Sequence, residues 1–195
     1  RKLGGRAHAA QPLYQSIEKP SRAANRHYHN LSHLEFMFAE IDREKIGNPP
    51  IEFATWYHDI VYKPGNRGNE RKSADIARKA LSVLGAEADL IDKVDSMIMA
   101  TQHHACDPCD ETTALFLDAD MAILGTEPDV YRRYADAIRK EVRWLPDFAY
   151  RKARAEFLVS LSQRDAIFLT PAFQVRYEKQ ARKNIGNELV TFKSG

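Results

Sequence analysis

The chain has 195 residues, 44% of them hydrophobic and 29% charged, with a net charge of +2. That length and mix suit one globular domain that buries its own core, and so small a charge gives no electrostatic case for a nucleic acid or a membrane surface. No apolar run of about 18 residues offers a membrane span, and two cysteines cannot build a disulfide framework, so the expected compartment is the cytoplasm of a reducing cell.

The first residues, "RKLGGRAHAAQ", are basic but lack the apolar centre of a signal peptide, and the missing initiator Met reads as trimming. A first short helix is expected at about 12–18. The second, at about 29–45, opens inside "RHYHNLSHLEF". His29 and His33 stand four apart there and share a helix face, while His27 points elsewhere. Gly47-Asn48-Pro49-Pro50 breaks that helix. The third, at about 51–62, carries His58 and Asp59 within the apolar run "FATWYHDIVY". A carboxylate in such a run is costly to bury unless it is paired or bound to a metal. Neighbouring helical side chains lie about 100° apart, so both can reach one ion in the notch between them.

Pro64-Gly65-Asn66 leads to a fourth helix at about 69–84, where Ala77, Ala80, Leu81 and Leu84 repeat at helical spacing after Ser73. In the fifth, at about 87–104, Leu90, Val94, Met97, Thr101 and His104 form one stripe. That stripe turns His104 inward and His103 toward water. The loop "HHACDPCD" offers His103, His104, Cys106 and Cys109 as a compact zinc set or a redox pair. Four ligands would have to wrap one short loop, so an incidental loop with free thiols is the preferred reading.

The sixth helix, at about 112–125, is apolar around its circumference except for Asp118 and Asp120, which lie about 200° apart and do not serve one point in space. The seventh, at about 128–143, repeats Tyr131, Tyr134, Ala135, Ile138 and Val142. The eighth, at about 147–163, lies in "RWLPDFAYRKARAEF". That run reads as an amphipathic helix with snorkelling cations in preference to a base-stacking surface. The ninth, at about 171–185, stops before Gly186, and the tail 186–195 is expected to be extended or loose. Many helices, short connections and little strict alternation predict an all-α helical bundle, a single domain over 1–195 with its core at about 12–185.

Imidazoles and carboxylates on separate helices are how a bundle core holds a divalent ion. A Gly-rich phosphate loop, a nucleophile elbow and a dinucleotide fingerprint are all missing. The order His33, then His58-Asp59, then Asp120, with the flanks "RHYHNLSH", "HDIVY", "NERKSA", "ATQHH", "LDADMAILG" and "YRRYADAIRKE", resembles the HD-domain superfamily of metal-dependent phosphohydrolases. The likeness is to a bacterial branch of predicted phosphohydrolases and covers roughly residues 12–185.

The resemblance implies an HD-type bundle in which His33, His58, Asp59 and Asp120 ligate the metal, Asp120 being favoured over Asp118. The ion would be Mn, Mg, Fe, Ni, Co or Zn, and water activated by it would attack a phosphomonoester or nucleotide. Glu70, in "NERKSA", would position or deprotonate that water, or would serve only as an acid at a helix N-terminus. Asp118 and His104 are further catalytic candidates. His29 and His104 could hold a second metal or touch phosphate. Arg26 is a candidate phosphate clamp because a guanidinium binds phosphate through a fork, and Lys63 with Arg67 could form a basic rim. Two alternatives are a catalytically silent regulatory module that senses a nucleotide, and a di-iron oxygenase that adds His29 and His104 as ligands. The expected partner is a small phosphate ester, with nucleic acid and membrane excluded and a homodimer left open.

Overall fold

Two asparagines start the helices that matter most. The Asn30 side chain accepts the backbone N–H of Ser32, and that of Asn48 accepts the N–H of Ile51. Each cap satisfies an amide that the first helical turn leaves without an internal partner. The computed structural model describes residues 17–45 and 47–193. Residues 17–21 are helical, and the rest of the expected first helix lies outside the described residues. There follow α1 (Leu31–Arg43), α2 (Pro49–Tyr57), α3 (Asn69–Val83), α4 (Ala88–Ala100) and α5 (Glu111–Met121). A 3-10 turn (Ala122–Gly125) leads to α6 (Pro128–Glu141) and α7 (Asp147–Ser162). A helical turn (Pro171–Phe173) and a π-helical segment (Gln174–Glu178) then run into α8 (Lys179–Lys193). The fold is all-α, as the patterning predicts, with no strand among the described residues.

The backbone divides into two compact units, Arg1–Ala119 and Asp120–Gly195. In the first, α3 and α4 pack most extensively, α2 lies against both, and α1 lies against α2. The predicted stripes supply the buried faces: Ala77, Ala80 and Leu81 from α3, and Val94 and Met97 from α4. On the outside of this pair, Arg71 hydrogen-bonds Asp75 and Asp95, and Arg78 reaches Asp92. The Arg71 guanidinium holds the Asp95 carboxyl below its usual range.

In the second unit, the side chain of Arg154 on α7 is 6% exposed and that of Glu188 on α8 is 9% exposed. Arg154 donates from Nε and Nη2 to the two carboxylate oxygens of Glu188, and from Nη1 to the Tyr134 hydroxyl. Tyr131 also donates to Glu188. Burial and the neighbouring carboxylate push the Tyr131 hydroxyl far up from its ordinary value. Arg154 is therefore a paired core cation, where snorkelling was expected of this helix. Trp144 and Phe148 are exposed.

The tail needs correction as well. Gly186 does not end the last helix, which continues to Lys193. A helical glycine costs about 1 kcal/mol, yet the helix runs on through Glu188, which pairs with Arg154. Gly125 matters for space instead: a Cβ there would lie 2.4 Å from Cβ and 2.7 Å from the carbonyl oxygen of Tyr177.

Candidate metal centre

His33 lies in the first turn of α1, three residues after the Asn30 cap, and is 3% exposed. His58 is 2% exposed and caps the C-terminal end of α2. The expected helix at 51–62 stops there, so Asp59 sits on the turn that follows. α5 belongs to the first unit through Ala119, and Asp120 is the next residue of that same helix.

His33, His58 and Asp120 each offer one ligand atom, and the three atoms lie within 4.8 Å of one another. It is the one group of three or more such donors among the described residues. The Nε2 atoms of His33 and His58 are 3.3 Å apart. His58 Nδ1 lies 2.9 Å from the carbonyl oxygen of Thr55. A carbonyl only accepts, so Nδ1 carries a proton, and Nε2 is the ring nitrogen turned into the cluster. A backbone carbonyl behind the distal nitrogen is the usual support of a metal-binding imidazole. Two imidazoles and a carboxylate of this kind fit a divalent ion with coordination positions to spare.

Asp59 stands beside the triad. Its Oδ2 is 3.3 Å from His58 Nε2 and 3.9 Å from His29 Nε2, and its side chain is 24% exposed. His29 precedes α1, because Asn30 and not His29 begins the helix. Its ring stacks on Tyr62 with centroids 3.9 Å apart and the planes 26° from parallel.

The turn that presents His58 and Asp59 is tied down from two sides. Arg26 donates from Nη1 to the carbonyls of His29 (3.2 Å) and Asp59 (2.6 Å), and from Nη2 to that of Ile60 (3.0 Å). Its guanidinium thus faces three backbone oxygens. From α3, Ser73 accepts the N–H of Val61, and Asn69 both accepts the N–H of Lys63 and donates to its carbonyl. Asn69 and Ser73 are buried and stand four apart on one helix face. Sequence reasoning singled out Glu70 in this motif and missed both, although polar residues four apart were the available signal.

The remaining expected residues are more dispersed. Glu70 is half-buried in the first turn of α3, and the Lys63 side chain is exposed; neither belongs to the triad. Asp118 is buried on α5, and its charge acts on the Cys106 thiol. His104 is a correction: α4 ends at Ala100, and His104 takes a left-handed backbone conformation at φ 47° beyond the helix. It therefore leaves the stripe to which the periodicity assigned it. His103, His104, Cys106 and Cys109 do not assemble three converging donors. Burial, with the Asp110 carboxylate next, pushes the Cys106 thiol up, which opposes the thiolate that zinc or redox chemistry needs.

Among the described residues, no helix is long and apolar enough to cross a membrane. Searches against family models, curated proteins and solved structures found no match to this chain.

Proposed function

We propose that the protein is a metal-dependent phosphohydrolase of the HD-domain type, acting on a phosphomonoester or nucleotide. The observation that carries the reading is the convergence of His33, His58 and Asp120, with Nε2 of His58 turned into the cluster by the bond of Nδ1 to Thr55. A divalent ion held there supplies a Lewis acid that acidifies water and neutralises charge on a phosphoryl group. Asp59 is half-open to solvent beside the triad. It completes the donor set or accepts a proton from the attacking water. His29, stacked on Tyr62, brings its Nε2 to 3.9 Å from the same Asp59 Oδ2 that faces His58.

Elemental analysis of the purified protein, followed by a phosphatase screen with and without Mn, Mg, Ni and Co, tests the reading. A bound divalent ion with turnover of phosphomonoesters or nucleotides supports it. Metal without turnover across a broad nucleotide panel transfers the site to a sensing role, and absence of any bound divalent ion overturns it.

A further inference from the structure

We infer that Arg26 is a positioning residue for the metal centre, setting the backbone from which Asp59 and His58 are presented; the inference rests on the metal-dependent reading of the site. Asp59 and Ile60 follow the C-terminal end of α2, where the helical ladder no longer supplies partners for carbonyl groups. Their two consecutive carbonyls are taken by the two Nη atoms of one guanidinium. The planar fork matches such a pair, and a single ammonium does not.

The same Nη1 also takes the carbonyl of His29, next to the asparagine that caps α1. One side chain thus fixes the segment leading into His33 and the turn leading out of His58 in a common register. Without that fork the turn after His58 loses its anchor and shifts as a segment, carrying the Asp59 side chain with it, and a small misplacement at a ligand is costly in affinity. Tyr62 completes the arrangement, with the Arg26 guanidinium 5.7 Å from its ring centroid and the His29 ring stacked on it.

The test uses the full chain with Mn2+ as probe, titrated calorimetrically into wild type, Arg26→Lys and Arg26→Ala, with circular dichroism to establish folding. Arg26→Lys keeps the charge and loses the fork, so it serves where Arg26→Ala does not fold. The expected result is Mn2+ binding weakened about 10–100-fold in both variants. Turnover at saturating Mn2+ should show an unchanged KM, and millimolar guanidinium should restore part of the Mn2+ affinity of Arg26→Ala. Folded Arg26→Lys that binds Mn2+ like wild type overturns the inference alone. If its KM for substrate is raised as well, Arg26 is a phosphate contact. Wild type that takes up no Mn2+, Mg2+, Ni2+ or Co2+ overturns the metal-centre reading and this inference with it.

Discussion

The Nδ1–H of His58 points at the carbonyl of Thr55, one turn back on α2, over 2.9 Å. The ring is thereby oriented by its own helix before any ligand arrives. On the metal-centre reading, His58→Ala and Asp120→Asn should each lower Mn2+ affinity by at least about 100-fold in calorimetric titration, since each removes a proposed donor. Asp59→Ala should abolish hydrolysis; loss of metal content with it marks Asp59 as a donor, and retained metal marks it as the proton acceptor. Metal-dependent turnover that survives in Asp59→Ala would exclude Asp59 from the site.

The cysteine loop should be dispensable. Cys106→Ser combined with Cys109→Ser should retain metal content and melting temperature, because these thiols do not converge with His103 and His104. Alkylation followed by mass spectrometry at pH 8 should label exposed Cys109 first. Cys106 should react slowly, its thiol being held protonated by burial and by Asp110.

Arg154→Ala should cost about 3–5 kcal/mol in denaturant unfolding, the penalty of leaving a buried carboxylate without its counter-ion. The double change Arg154→Met with Glu188→Leu should recover much of that loss, because no charge then stays buried. Equal losses in the single and double variants would show that packing, and not charge, holds α7 to α8.

Gly125→Ala should destabilise by about 1–3 kcal/mol through overpacking. The added methyl meets the Cα, Cβ and carbonyl oxygen of Tyr177, none of which is the movable end of a side chain. A melting temperature equal to wild type would show that the π-helical segment yields at no cost.

Asp95 gives the pH dependence. Its folded-state value is depressed, with the Arg71 hydrogen bond as the largest cause. It therefore adds stability above the unfolded value of about 3.9. That contribution disappears as pH falls through the folded value. Asp95→Asn should be less stable than wild type by about 1 kcal/mol or less near neutrality, since Arg71 is half-exposed and salt screens the pair. The gap should close below about pH 4 and shrink in high salt. A gap that widens on acidification would contradict the assignment.

The helices were largely legible because their punctuation is local: Gly and Pro in the loops, and apolar positions at helical spacing. The triad was legible in part: His58 was marked by polar chemistry inside an apolar run and His33 by its spacing from His29, while Asp120 was favoured over Asp118 only through the family resemblance. What was not legible depends on partners distant in sequence. The run "DIVY" looks helical, but Arg26 and Ser73 take its backbone groups, Asn69 takes those of Lys63 just after it, and Asp59 to Tyr62 leave the helix. His104 continues a stripe on paper, but the chain has already turned left-handed at that residue. Gly186 looks like a stop, yet the helix runs on through Glu188, which pairs with Arg154. Gly125 looks like a helix terminator, while its actual constraint is the backbone of Tyr177 lying against it.

Because His58 closes α2 at its carboxyl end, the macrodipole of that helix directs about half a negative charge toward the triad. An anion approaching alone meets an opposing field there, and a cation meets an attractive one. On the proposed reading, inorganic phosphate should accordingly bind poorly before a divalent ion does, and the order of loading follows from where one helix stops.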